Sequence, residues 1–314
     1  MVDSKQQWKA WVYLSPAIVL LLIFTVWPIF NTVRMAFLEN YKSMEAVAGA
    51  TFKFGIGNFV KVLKYNKFLQ CLKNTLLLCV LTVPISTILA LVIAVCLNSI
   101  KVLNRFLQTI FFLPYVTNSI AIGMVFAAMF NIVGSFLGTS QELVATAGII
   151  NNVIEFFGGE RINWINSGST YAANITVMVI YIVWNALPFK ILILLGGLQS
   201  INKQYYDAAK VDGTSRLRVF GRITVPLLSP LLAYVIITGF IGGFKEYSSI
   251  VGIFGEKMGP PDDPGRLNTM VGFIYDSLSA NNQGRASAAA LILFGIILVV
   301  TMINLYVSKK KTHY

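Results

Sequence analysis

Charged residues are absent from six long stretches of the chain, and those gaps define its architecture. Residues 10–33, between Lys9 and Arg34, carry no charge. The same holds for 74–100, 106–141, 162–189, 223–244 and 286–308, and apolar character continues past Lys190 to Leu198. About 20 apolar residues cross a bilayer. In lipid the backbone must satisfy its own hydrogen bonds, so such runs predict helices rather than strands. The pattern predicts an all-α polytopic membrane protein. Its six transmembrane helices fall at roughly 11–32, 72–97, 107–131, 171–196, 227–252 and 286–307. Pro28, Pro84, Pro114 and Pro188 lie in or near these spans and predict kinks.

Composition agrees with this reading. Only 12% of residues are charged, against about 25% in an ordinary soluble domain. The net charge of +12 reads as basic loops beside membrane spans, and no nucleic-acid partner is expected. Cys71, Cys79 and Cys96 form no CxxC pair and read as buried, inert thiols. The first apolar run is too long for a signal peptide and no small-x-small cleavage site follows it, so it reads as a retained helix.

An even number of spans allows both termini on the cytoplasmic side. The basic residues then divide almost evenly between the two faces, because Arg34 to Lys73 places many on the outside. Within that region NFVKVLKYNKFLQCLKN, residues 58–74, reads as an amphipathic helix lying on the outer surface. Lys309–Lys311 directly after the sixth span favour an inside C-terminus.

One polar, basic segment stands between apolar runs: QYYDAAKVDGTSRLRVFGRITVPLLSP, residues 204–230. Asp207 reads as early in a helix, where a negative charge suits the dipole. Ala208 and Ala209 lack bulk, so another surface can approach. Gly213 is a natural helix stop. Thr214 and Ser215 can cap a second helix, which carries Leu217, Phe220 and Ile223 at helical spacing and Arg216, Arg218 and Arg222 on its other faces. Pro226 closes the unit. From the residues alone, this is a lipid-binding juxtamembrane loop or a docking helix for a soluble partner.

DAA, three residues, Gly213, nine residues and ITVP resemble the EAA loop of ABC-importer permeases, with Asp207 for Glu and Val225 for Leu. GLQSINKQYYDAAKVDG, WNALPFKILILLGGL (184–198), FFLPYV (111–116) and FKEYSSIVGIFGEKMGPPDDPGRLNTMVGFIYDSL (244–278) are similar to the carbohydrate-uptake, maltose-type branch. The long turn with Gly259–Pro260 resembles the first-of-pair, MalF-like half, and GTSQELVATA, 138–147, looks like an insertion. The resemblance implies a type I ABC importer transmembrane fold. It divides the chain into an N-terminal helix and external loop (1–70), a permease domain (71–305) holding the coupling loop 204–226, and a basic tail (306–314). It implies a bacterial cell-membrane location. The implied partners are a MalG-like second permease, two ATP-binding cassette ATPases and an extracytoplasmic sugar-binding protein, with a sugar as cargo and lipid around the spans. The coupling residues it implies are Asp207, Ala208, Ala209, Gly213, Ile223 and Pro226.

No GxxxxGK[ST] occurs and the sole histidine is His313. The chain therefore reads as a non-enzyme without a cofactor of its own, ATP and Mg being bound by the partner ATPase. Polar residues at membrane depth are candidates for the solute path. Lys245 and Glu246, late in the fifth span, read as an ion pair or a polar lining. Trp184 and Asn185 read as core packing or as an aromatic face plus an amide for a sugar. Asn118 and Ser119 read as helix–helix hydrogen bonding or as weaker candidates. Resemblance to the maltose-type permease adds Ala186, Phe189 and Phe244, with Tyr247 adjoining. Lys190 reads as snorkelling toward the inner face. The cargo stays open among oligosaccharide, disaccharide and glycerol-phosphate. The competing class is an ion-coupled secondary transporter, which would need buried carboxylates and inverted repeats; only Glu246 is near membrane depth.

Overall fold

A computed structural model describes residues 7–100, 104–136 and 143–311. In chain order the helices are α1 (Trp8–Phe37), α2 (Ser43–Val47), α3 (Gly57–Leu63), α4 (Asn66–Ser99), α5 (Asn104–Val116) and α6 (Ser119–Phe130). They continue as α7 (Ile149–Phe156), α8 (Tyr171–Ser200), α9 (Lys203–Val211), α10 (Arg216–Phe244), α11 (Ser248–Phe254), α12 (Met270–Ser279) and α13 (Gln283–Lys311). Five of them are long and apolar enough to cross a membrane, and α5 with α6 makes a sixth, broken span. The chain is a multi-pass, all-helical membrane protein. Its one departure among the described residues is a hairpin, β1 (Ile132–Phe136) paired antiparallel with β2 (Leu143–Ala147). Of the expected insertion 138–147, residues 138–142 lie outside the described residues.

Three spans differ from their sequence boundaries. The third is not one helix over 107–131. It bends by 99° between α5 and α6. Asn118 takes an extended backbone, and its side-chain oxygen accepts from the Ile120 and Ala121 N–H groups. This cap meets donors that a helix start otherwise leaves open. The fifth span starts earlier and stops earlier than 227–252. α10 begins at Arg216, so the second helix of the polar loop runs straight into the membrane and Pro226 does not close it. Pro226 follows a π-helical turn at Phe220–Thr224, and such a local change of hydrogen-bond spacing accommodates the missing N–H without ending the helix. α10 ends at Phe244, and Lys245, Glu246 and Tyr247 form a non-helical break before α11. The second span starts at Asn66, so 58–74 is α3 plus the opening of α4 rather than one surface helix. Asn58, Val62, Phe68 and Cys71 are buried there. Cys96 is exposed, unlike Cys71 and Cys79.

The chain divides into two compact units, 1–69 with 272–295, and 70–271 with 296–314. In the first, Asn58 is the organising side chain. Its amide donates to the Ala36 and Leu38 carbonyls and accepts from the Asn40 N–H. Tyr65 and Phe68 pack on the Phe273 ring, and the Arg285 guanidinium lies over Tyr65 and Phe273.

The second unit is built on α8. One apolar cluster gathers Val177, Met178, Tyr181, Ile250 and Ile253. Another gathers Leu194, Leu198, Ala90, Ala94 and Leu228. α6 and α11 cross so closely that a Cβ on Gly123 would stand 2.7 Å from Gly252 Cα. A polar knot ties the loop after α11 to α4 and α8. Asn74 donates to the Arg266 and Asn268 carbonyls, Tyr171 donates to Asn74, and Arg266 donates to the Ser169 carbonyl.

Candidate functional site

Along α8, the residues between the two apolar clusters border a cavity of about 330 Å³. α4, α5, α8, α10 and the break after α10 all contribute to its wall. Asn185, Ala186 and Phe189 line it from one stripe of α8, and Glu246 lines it from the break. Asn185 lies four and Ala186 three positions before Phe189, the two spacings that make helical residues neighbours, so both converge with Phe189. Phe189 stacks on Tyr115 of α5, with centroids 6.0 Å apart and planes 20° apart.

The other predicted path residues stand elsewhere. Trp184 turns away and packs 5.1 Å from the Phe126 ring, which also meets Tyr181. It is a packing residue, and Asn185 alone of that pair reaches the cavity. Phe244 is buried without lining it. Tyr247 packs against the Tyr181 cluster. Lys245 is exposed, and it makes no ion pair with Glu246. The Glu246 carboxylate instead accepts from the Ser249 N–H and so caps α11, while its carbonyl accepts from the Thr269 hydroxyl. Asn118 is used by its cap, and Ser119 shares a 3.1 Å hydrogen bond with Tyr181.

The sequence reading missed most of the lining. Lys190 does not snorkel. It is 4% exposed, and its ammonium donates to Val83 O (3.2 Å), Ser86 Oγ (2.7 Å) and Thr87 Oγ1 (2.9 Å) on α4. Three donors meet three acceptors, which offsets the cost of burying the charge. The signal was present as a lone lysine in one apolar run and a Thr-x-x-x-Ser-Thr pattern in another. Thr238, Gly239, Gly242 and Gly243 of α10 complete the wall. A Cβ on Gly239 would stand 3.1 Å from Val83 Cγ1, and one on Gly243 would stand 2.8 Å from Cys79 Sγ. These glycines let α10 and α4 touch. Gly242 has nothing within 4 Å of its Cβ position, so it widens the cavity.

An aromatic stack, an amide, hydroxyls and a carboxylate around one space suit a ligand with apolar ring faces and many hydroxyls. Among the described residues no His, Cys, Asp and Glu cluster could hold a metal.

The polar loop forms a second feature. Asn202 caps α9 by accepting from the Gln204 N–H. Asp207 lies beyond the first turn of α9 and pairs with Lys210 at 3.6 Å, so the dipole is not its partner. Gly213 has φ +64, with Gly213 N–H donating to Lys210 and Thr214 N–H to Ala209. Such a left-handed stop favours glycine. A Cβ there would meet nothing within 4 Å, so backbone conformation and not crowding is what demands glycine. Ala209 is buried, whereas Asp207 and Ala208 are exposed. A cleft of about 450 Å³ opens between α9 and the start of α10, lined by Ala208, Asp212, Arg218, Arg222 and Ile223. Val211 and Leu217 stand almost fully exposed. Pro226 lies outside the cleft.

The profile of the family described as "Binding-protein-dependent transport system inner membrane component" matches residues 82–313, which contain the loop and every residue lining the cavity. The chain belongs to this family. It is 30% identical over 309 residues to the arabinooligosaccharides transport system permease protein AraP of Halalkalibacterium halodurans, covering 97% of this chain and 89% of AraP. It is 28% identical over 300 residues to the lactose transport system permease protein LacF of Rhizobium radiobacter, covering 94% of this chain and 91% of LacF. A chain of the solved bacterial ABC transporter involved in the import of the acidic polysaccharide alginate shares the fold, with a TM-score of 0.78 at 21% identity over 99% of this chain and 98% of that one. Membership agrees with the ABC-permease resemblance of the loop, and the type I importer fold is the one observed.

Proposed function

We propose that the chain is the transmembrane permease subunit of an ATP-driven, binding-protein-dependent importer, and that its cargo is a neutral oligosaccharide or disaccharide. The observation that carries the cargo assignment is the cavity at Asn185 and Phe189, where the Tyr115–Phe189 stack faces an amide and a carboxylate. An aromatic face takes the apolar side of a sugar ring, and the polar groups take its hydroxyls. The permease relatives named for arabinooligosaccharide and lactose transport support the same class.

In this reading the permease domain spans 71–305, both termini are cytoplasmic, and the loop 204–226 lies on the same side. A second permease completes the solute path, two separate ATPases bind ATP and Mg, and an extracytoplasmic binding protein delivers the sugar. This chain contributes no hydrolytic chemistry. ATP-driven closure of the ATPases pushes on α9 and on the start of α10. Because α10 runs without interruption from the loop to the cavity wall, that push reaches Thr238–Gly243 directly. The helices then alternate between inward- and outward-facing arrangements.

The test is uptake of labelled oligosaccharide by proteoliposomes holding the full complex and its binding protein. Uptake that needs internal ATP and stops with vanadate is expected. Uptake that follows a proton or sodium gradient without ATP would put the chain among ion-coupled transporters and overturn the proposal.

A further inference from the structure

From Arg34 to Lys73 the chain carries seven basic residues and two acidic ones, on the side that the proposed orientation places outside the cell. Lysine and arginine there run against the usual topology, in which they gather on the cytoplasmic face. The two acids do not offset them. Glu39 accepts from the Gly57 N–H, and Glu45 pairs with Lys42. Lys53, Lys64 and Lys67 are exposed, and none of them forms an ion pair among the described residues.

These lysines stand on one scaffold. The Lys53 carbonyl accepts from the Glu39 N–H, and the Lys61 ammonium donates to Asn40 Oδ1, so both flank the turn after α1. Lys64 ends α3, and Lys67 lies in the first turn of α4. Asn58 ties α3 to the Ala36 and Leu38 carbonyls. Apolar side chains stand among the cations. Phe54, Ile56 and Leu63 are half exposed or more, and Phe54 stacks on Phe37.

The length of α4 favours a protein over lipid as the partner. Lys73 is the first charge outside the apolar run 74–100. The helix rises about 9 Å from Lys73 to Lys67, whereas the headgroup layer adds about 5–7 Å beyond the hydrocarbon. Lys67 therefore emerges beyond the headgroups, and the end of α3 joins α4 at that level.

We propose that Lys53, Lys64 and Lys67, with Phe54, Ile56 and Leu63, form the docking surface for an acidic face of the importer's extracytoplasmic binding protein. The ammonium groups steer an acidic protein onto the complex, and the exposed apolar side chains give it contact area. The proposal rests on the importer reading and orientation given above, and it names where the partner lands, not what is carried.

The experiment uses the complete complex in phosphatidylcholine nanodiscs, titrated with the binding protein that supports its uptake in proteoliposomes. Raising salt from about 50 to about 300 mM should weaken the Kd at least about fivefold. Lys53→Gln, Lys64→Gln and Lys67→Gln combined should weaken it about tenfold, mainly by slower association, with the basal ATPase rate and Tm unchanged. The three Lys→Arg changes combined should bind as wild type does. In parallel, an amine-reactive label should modify Lys53, Lys64 and Lys67 of the wild-type complex and be blocked by the binding protein. An unchanged Kd in the Gln variant, or labelling that the binding protein does not alter, would overturn the proposal. So would lysines already shielded without the binding protein, which would assign them to the second permease. Loss of bound phosphatidylglycerol in the Gln variant at unchanged binding-protein affinity would assign them to lipid and overturn it as well. Each of these results leaves the importer reading in place, whereas ATP-driven uptake that needs no binding protein would overturn both. The labelling uses the wild type, so it decides the matter even where the Gln variant does not assemble.

Discussion

Lys190 and Arg218 are both cations on spanning helices, and their surroundings differ in every respect. Lys190 is buried, and each of its N–H groups has an acceptor within the chain. Arg218 is exposed beside Arg216 and Arg222, and none of the three forms an ion pair among the described residues. The Lys190 ammonium is thus satisfied within this one chain, and the other polar groups of the cavity border open space. The loop is unfinished. Its arginines, its exposed Val211 and Leu217 and its open cleft leave charge and apolar surface uncovered, as the proposed ATPase contact requires.

The sharpest way to break that comparison is at Gly213. A side chain at φ +64 costs about 1–2 kcal/mol, and it strains the turn that aims α9. Gly213→Glu should therefore lower ATP-driven uptake at least about tenfold and loosen the ATPase in a detergent pull-down. Gly213→Asn should keep most activity, because Asn tolerates the left-handed region. Equal loss in both variants would mean that bulk matters and conformation does not, against the open space around that Cβ position.

The next effect is in the cavity. Asn185→Leu removes an amide from the lining without changing the stack of Tyr115 on Phe189. Loss of one hydrogen bond to a neutral hydroxyl, about 1 kcal/mol, should raise the KM for the sugar roughly fivefold and leave the ATPase rate without substrate unchanged. An unaltered KM in proteoliposome uptake would remove Asn185 from the solute path.

These two regions were not equally legible in the sequence. The loop is local. The Gly213 stop was read as it folds, whereas the Asn202 cap went unread and Ser215 starts the second helix without the side-chain cap hydrogen bond expected of it. The cavity is made of five elements brought together over more than 160 residues, from Thr82 to Glu246. Nothing local says that Lys190 meets Ser86 and Thr87, or that Gly239 and Gly243 let two spans touch. The breaks escaped for a related reason. Apolar runs through 107–131 and 227–252 give a continuous hydropathy signal, while the chain turns at Asn118 and at Lys245–Tyr247 by side-chain capping that hydropathy does not register. Glu246 is charged and near membrane depth, and it both lines the cavity and caps α11.

A paired measurement separates finished from unfinished cations. Lys190→Met deletes three charge-assisted hydrogen bonds but also relieves the cost of a buried charge, so a net loss of about 1 kcal/mol is expected. That corresponds to a fall of roughly 2–4 °C in Tm by fluorescence-detected gel filtration, with the ATPase still attached. Arg218→Gln should leave Tm within about 1 °C, since an exposed charge adds little to stability, and should weaken ATPase retention. If both variants act on Tm alone, the loop arginines are structural and the contrast between the two regions fails.

The smallest expected effect is at Trp184, and it tests the cavity by what it leaves alone. Trp184 and Phe189 are both aromatic residues of α8, five positions apart, and the same sugar-recognition argument applies to either from sequence. The structure separates them. Trp184 sits against Phe126 inside an apolar cluster, whereas Phe189 faces the cavity beside Tyr115. Trp184→Phe keeps a ring in the cluster and should cost about 1 kcal/mol or less of stability, with the KM for the sugar within about twofold of wild type. Phe189→Leu removes the ring that stacks and should raise KM several-fold with little change in Tm. A sugar affinity that follows Trp184 instead would require α8 to be rotated by about 140° from the face described here, since five helical steps leave that offset. Asn185, one step from Trp184, would then leave the cavity too, so the same uptake assay on the two aromatic variants decides which face of α8 the solute meets.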